Sequence, residues 1–229
     1  MPSGMEIRCI LFDLDRTLLD RDRSFLAFSA AQYDRFRPQL AGVPPDRFVE
    51  SFIRLDDRGM LWKDEVYQRL IDELGIRSLT WEQLYQDFTD RVADHYVSFP
   101  NVRETLAGLA ETHTLGIITN GRTFFQQRSI RTLGIEPFFS AILISEKEGL
   151  RKPDPAIFHR ATSLLGVTPA ETAYVGDHPV NDMQAPRNAG MLAVWKRNDD
   201  HADAPCDARF DHFDQLPRII RELENEHSV

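Results

Sequence analysis

The stretch "CILFDLDRTLLD", residues 9–20, decides the fold. An apolar run of Cys9, Ile10, Leu11 and Phe12 stops abruptly at Asp13 and then Asp15. Residues 6–13 read as a short buried strand. Such a strand ending in two carboxylates poses a problem, because a lone buried charge is costly unless something pairs with it. Either the strand end is exposed and the aspartates are solvated, or a cation and a reaction belong there. Taken alone, a DxD after an apolar run is more often a solvated turn.

Outward from this strand the rhythm changes. Between about Thr17 and Ser98 lie amphipathic, aromatic-rich segments such as "SFLAFSAAQYDRF", "PDRFVESFIRL", "KDEVYQRLIDELG" and "TWEQLYQDFTDRVADHY". Their apolar residues recur at helical spacing, and Pro44-Pro45, Gly59 and Gly75 punctuate them. Thr80, with Gln83 three residues on, has the pattern of a capping box. This block predicts a small helical bundle; of Trp62, Trp81 and the several Phe and Tyr residues at helical spacing, most are expected to form its core. Within it the polar stretch 54–64, "RLDDRGMLWKD", reads as a helix connection or a specificity loop. Arg54, Arg58 and Lys63 there are as well explained by solvation as by an anionic substrate.

Beyond residue 99, helical and strand-like segments alternate: "NVRETLAGLAETH", "TLGIITN", "TFFQQRSIRTLGI", "SAILIS", "DPAIFHRATSLLGV", "TAYVGD", "PVNDMQAPRNAG" with its internal proline, "MLAVWK" and a final helical "FDQLPRIIRELENE". Alternation of this kind predicts an α/β fold, a parallel sheet covered by helices on both faces. The polar, turn-rich "KRNDDHADAPCDARFDHF" reads as a surface loop.

Bulk numbers bound the partners. The chain has 229 residues, 27 Lys and Arg against 36 Asp and Glu, and a formal net charge of -9. That balance argues against nucleic acid, whose phosphates select basic faces. It leaves room for a small anion at a local positive site. Cys9 and Cys206 lie far apart and form neither a disulfide framework nor a metal-ligand spacing. No apolar run reaches the length of a leader or a membrane span, so a cytoplasmic protein without membrane contact, a monomer by default, is the expectation.

Ligands of parallel α/β sheets bind beyond the carboxyl ends of the strands, and polar clusters fall there in sequence. After Asp13 and Asp15 comes "IITNG", with Thr119 and Asn120, although Asn-Gly is equally a common turn signal. Next is "LRKPDP", where Lys152 precedes a helix starting at Asp154 and the prolines are equally explained as a helix entry. Last is "YVGDHPVND", an apolar strand ending in Asp177, with Asp182 five residues on. Asp177 could also cap the following helix, and Asp182 could lie in its acidic first turns. Each cluster has a plain structural explanation; in this order, each at a strand end or its exit loop, they are not independent accidents.

Together they resemble the four motifs of the haloacid dehalogenase (HAD) superfamily of phosphotransferases, in the helical-cap, phosphoglycolate phosphatase-like subgroup. The resemblance runs from Ile7 to about Arg221. It implies a Rossmann-like core over residues 1–16 and 99–229 and an inserted α-helical cap over 17–98. It further implies a Mg²⁺-dependent phosphatase of a small phosphorylated metabolite. Asp13 would be the nucleophile forming an aspartyl-phosphate, and Asp15 the acid and base. Thr119, Asn120 and Lys152 would bind the transferring phosphate, with Lys152 also counted among the catalytic groups. Asp13, Asp177, Asp182 and the backbone carbonyl of Asp15 would hold Mg²⁺.

The chemistry is consistent without the name. A carboxylate attacking a phosphate dianion needs cations to screen the repulsion, hard oxygen ligands suit Mg²⁺, and prearranged donors stabilise the transferring group. The family often has glycine after the second aspartate. Here Arg16 stands there, read as a solvated side chain or a contact to an anionic substrate. A phosphomutase shares all these motifs and stays open. A dehalogenase would lack the second acid, and a phosphonate hydrolase would need a cap lysine, for which Lys63 is the only one in 17–98. A non-catalytic relative would have lost part of the set.

Overall fold

The computed structural model describes residues 6–201 and 203–226. The stretch read for a leader falls, over residues 1–5, outside them. The chain divides into two compact units, one made of the segment up to Asp20 and that from Ser98 onward, the other of Arg21–Val97.

Strand β1 (Cys9–Phe12) opens the first unit and is buried at every position. The second unit follows as helices α1 (Arg21–Arg35), α2 (Pro45–Asp56), α3 (Lys63–Leu74) and α4 (Trp81–Arg91). Its core is aromatic: Phe28 and Phe88 meet edge to face at 5.3 Å, with Phe25, Phe52 and Tyr67 around them. Neither tryptophan belongs to that core. Trp62 is 52% exposed and Trp81 only partly buried against Tyr85, because each stands at a helix entry rather than on an inward face. Thr80 and Gln83 form the expected capping box at α4, with the Thr80 amide donating to Gln83 Oε1 at 2.9 Å.

This unit also buries charge. Asp56, at the end of α2, accepts from both Arg21 and Lys63. Lys63 lies over the Phe25 and Phe88 rings besides. Lys63 is thus engaged by a carboxylate within this unit. Arg54, the first cation of the 54–64 stretch, pairs with Glu73 of α3.

The chain returns through α5 (Val102–Ala110), β2 (Thr114–Thr119), α6 (Thr123–Thr132), β3 (Ala141–Ile144), α7 (Ser145–Glu148), α8 (Pro155–Leu165) and β4 (Thr172–Gly176). A π-type turn (Pro179–Gln184), α9 (Ala185–Asn188), β5 (Leu192–Lys196), β6 (Ala208–Phe210) and α10 (Leu216–Glu226) complete it. The strands make one six-stranded sheet in the order β3-β2-β1-β4-β5-β6, every pair parallel. β1 is central, with Phe12 opposite Ile117 of β2 and Val175 of β4. Cys9 and Leu11 meet Ile157, Phe158 and Ala161 of α8 in the core beneath one face.

One reading is corrected and another refined. The polar segment after β5 is not wholly loop, since Ala208–Phe210 pairs with β5; three residues are too few for a period to show. The helix read over "PVNDMQAPRNAG" is present, but its first part, Pro179–Gln184, is wound as a π-helix before the short α-helix Ala185–Asn188. Pro186 has no amide hydrogen to continue a regular ladder.

Candidate active site

The carboxyl ends of β1, β2 and β4 converge. Asp13 leaves β1, Thr119 ends β2 and Asp177 follows β4. The turn after β4 brings Asp182 back over Gly176. A Cβ on Gly176 would lie 2.4 Å from the Cβ of Asp182, so only glycine admits that approach. His178, not Asp177, caps the turn, its Nδ1 accepting from the amides of Val180 and Asn181. Asp177 is thereby free for other work, and the His178 amide donates to Asp182 Oδ2 at 3.0 Å.

One carboxylate oxygen from each of Asp13, Asp177 and Asp182 lies within 4.8 Å of the others, and all three residues are buried. Lys152 Nζ donates to Asp13 Oδ1 at 2.7 Å and Asp182 Oδ1 at 2.6 Å, and to the Tyr174 hydroxyl at 2.8 Å. Tyr174 in turn donates to the Ile118 carbonyl. Burial and the neighbouring carboxylates of Asp182 and Asp177 push Asp13 well above the usual carboxylate range against the pull of Lys152. Burial and Asp182 raise Asp177 to about 7. Burial opposes the charge on Lys152, but Asp13 and Asp182 overturn that and raise it. Three carboxylates around one ammonium leave surplus negative charge in a buried site. Hard oxygen donors so crowded suit a divalent cation such as Mg²⁺, and the residues fit that ion.

Asn120 has a task its spacing did not disclose. Its side-chain amide donates to the Lys152 carbonyl at 2.9 Å and its Oδ1 accepts the Lys152 amide at 3.0 Å. This two-way clamp holds the lysine's loop beside β2, so any donation by Asn120 to a phosphate falls to its backbone. Asp15 and Thr119 are joined by Gln126 of α6, a residue sequence reasoning passed over: its Nε2 reaches Asp15 Oδ2 at 2.9 Å and Thr119 Oγ1 at 2.6 Å. Thr17 was passed over too, and donates to Asp13 Oδ2 at 3.2 Å.

Arg16 adopts a left-handed backbone with φ 63°, which explains why glycine suits the position. Its side chain is neither solvated nor pointed at an unknown anion alone: Nη1 pairs with Asp200 Oδ2 at 2.7 Å. Asp200 belongs to the segment read as a surface loop, whose Asn198 donates to the Asp177 carbonyl at 2.9 Å. No pattern in the sequence marks Tyr174, Asn198 or Gln126, because each acts across the fold on a partner distant in the chain.

Residues 10–196 match the family model described as haloacid dehalogenase-like hydrolase. The chain belongs to that family. The hydrolase is 29% identical to the glyceraldehyde 3-phosphate phosphatase of Pyrococcus furiosus, over 96% of this chain and 94% of the relative. Among solved structures it is similar to the Bacillus subtilis hydrolase YfnB bound to magnesium, with TM-score 0.76, 21% identity, and coverage of 94% of this chain and 99% of that one. It is also similar to a 2-haloacid dehalogenase of Pseudomonas syringae, with TM-score 0.65, 31% identity, and coverage of 94% and 99%. A phosphatase and a dehalogenase are thus both among its relatives, and the family alone does not choose between their reactions. Among the described residues no helix is long and apolar enough to cross a membrane.

Proposed function

We propose that this hydrolase is a Mg²⁺-dependent phosphatase of small phosphorylated metabolites, working through an aspartyl-phosphate on Asp13. The observation that carries the reading is the buried cluster of Asp13, Asp177 and Asp182 around Lys152, with a second acid, Asp15, two residues from the first. Displacing halide from carbon by a carboxylate has no use for such a cation-seeking cluster, whereas a phosphate dianion does. The Pyrococcus furiosus relative, a phosphatase aligned over nearly the whole chain, supports the same choice.

Asp13, Asp177, Asp182 and the Asp15 carbonyl would hold Mg²⁺, which when bound supplies positive charge against the phosphate oxygens. Lys152 adds a second positive charge, delivered next to the nucleophile. Asp13 attacks phosphorus; a carboxylate–phosphorus bond forms as the ester P–O bond breaks. Asp15 gives its proton to the departing alcohol oxygen, then takes one from the water that attacks the phosphorus. The Asp13–phosphorus bond breaks, freeing phosphate and restoring both carboxyl groups. The Thr119 hydroxyl and the backbone amides at Asn120 donate to the transferring oxygens. The helical unit, inserted in the chain directly after the β1 loop, serves as the cap that selects the substrate.

The test is phosphate release across a panel of phosphorylated metabolites with Mg²⁺, with Asp13→Asn alongside. Release that disappears in the variant and with chelator is expected. Release that survives Asp13→Asn would overturn the reading, and phosphoryl return to a second hydroxyl of a sugar, with no free phosphate, would replace it by a mutase.

A further inference from the structure

We propose that Gln126 is a positioning residue of the reaction, tying the acid–base aspartate to the phosphate-binding threonine through one amide group. The proposal rests on the roles given above to Asp15 and Thr119 and deepens them. Gln126 lies on the first turn of α6 and is 6% exposed. Its Nε2 faces three oxygens: Asp15 Oδ2 at 2.9 Å, Thr119 Oγ1 at 2.6 Å and the Asn120 carbonyl at 3.3 Å. A main-chain carbonyl can only accept. The atom pointing at it must therefore be the amide nitrogen, whose two hydrogens go to the nearer oxygens of Asp15 and Thr119.

The first consequence concerns Thr119. Because its oxygen accepts from Gln126, its own hydrogen is turned away from Gln126 and is left to donate elsewhere. A hydroxyl has one hydrogen; Gln126 decides that it is not spent on the amide. The second concerns Asp15. Anchoring Oδ2 restrains the rotamer of the carboxyl group that meets the leaving group. Positioning of this kind matters steeply, since a 1 Å misplacement of a reacting group costs about 10²-fold in rate.

The fold defends the arrangement at Gly121. A Cβ there would come within 2.9 Å of the Gln126 side chain, and φ is 154°, a conformation that other residues rarely adopt. The Gly121 amide is itself held by the Ser145 hydroxyl at 3.0 Å. The glycine that looks like one half of an Asn-Gly turn signal is thus the space that Gln126 occupies.

The experiment compares kcat and KM of the wild-type hydrolase, Gln126→Leu and Gln126→Glu on two aryl esters of similar shape, p-nitrophenyl phosphate and phenyl phosphate. Nitrophenolate leaves without a proton, whereas phenolate profits from one. A positioning role for Asp15 predicts that kcat on phenyl phosphate falls on the order of 10- to 100-fold more than on p-nitrophenyl phosphate, a share of the rate that a general acid contributes. Gln126→Glu removes the donor while keeping size and polarity, so it gives the same split if the leucine variant fails to fold. Equal losses on both esters in a folded variant, no loss on either, or failure of both variants to fold would each assign Gln126 a structural role only and overturn the proposal. Asp13→Asn separates the two levels. If that variant is silent and the esters respond alike, the positioning proposal alone fails. If it still hydrolyses them, the phosphatase reading falls and the proposal with it.

Discussion

Asp56 shows how a single residue sets a pH limit on this protein. Burial alone would raise its carboxyl, but Arg21 and Lys63 overturn that and hold it at about 2. In the unfolded chain it reverts to the ordinary carboxylate value of about 3.9. The folded value is the lower one, so the group stabilises the fold above pH ~4, and this contribution is lost as pH falls from ~4 through ~2. Asp56→Asn leaves two buried cations without their counter-charge, and breaking such a group costs roughly 3–5 kcal/mol. Urea denaturation near pH 7 should show that loss, and the gap between variant and wild type should narrow as the measurement moves below pH 4. The three charges are scattered over residues 21, 56 and 63, and only Lys63 drew attention in the sequence. A buried ion pair leaves no periodic trace, since nothing in the spacing of Arg21 and Asp56 says that they meet.

Among the elements, the turn after β4 does most to shape the site. Gly176 lets Asp182 pack onto the strand end, and His178 caps the turn so that both aspartates stay uncommitted to helix capping. Gly176→Ala should displace Asp182, destabilise the protein by about 1–3 kcal/mol through overpacking, and weaken Mg²⁺ binding measured by calorimetry. A control lies within the helical unit. Thr80→Ala removes the capping box of α4 and should cost about 1 kcal/mol in thermal denaturation, with phosphate release unchanged. The capping box was readable because it is a contact between residues three apart. The π winding of Pro179–Gln184 was not, because a π-helix and an α-helix share nearly the same side-chain period in so short a segment.

At the scale of the whole molecule, charge and stability are linked through the carboxylate cluster. Without a cation, burial and the neighbouring carboxylates push Asp13 and Asp177 up from the ordinary carboxylate range around a single lysine. Asp177→Asn removes one of them and should raise the melting temperature of the protein in chelator. In the wild type, Mg²⁺ at about 100 times its dissociation constant should add ~2.7 kcal/mol, a rise of several degrees for a domain of this size at ~2–4 °C per kcal/mol. Differential scanning calorimetry with and without Mg²⁺ checks both. An increment of equal size in Asp177→Asn would show that the ion binds elsewhere.

By itself the sequence determined the alternation of strands and helices, the helical insertion after β1, and the polar residues at the ends of β1, β2 and β4. These depend on side-chain period and on neighbours along the chain, which a one-dimensional pattern carries. Tertiary structure alone decided that β6 joins the sheet, that Asn120 clamps the Lys152 loop, that Asp200 takes Arg16, and that Tyr174, Asn198 and Gln126 stand behind the aspartates. Each of these is a hydrogen bond, ion pair or strand pairing between residues brought together by the sheet order. A partner chosen by geometry across the fold has no fixed offset in the chain by which it could be read.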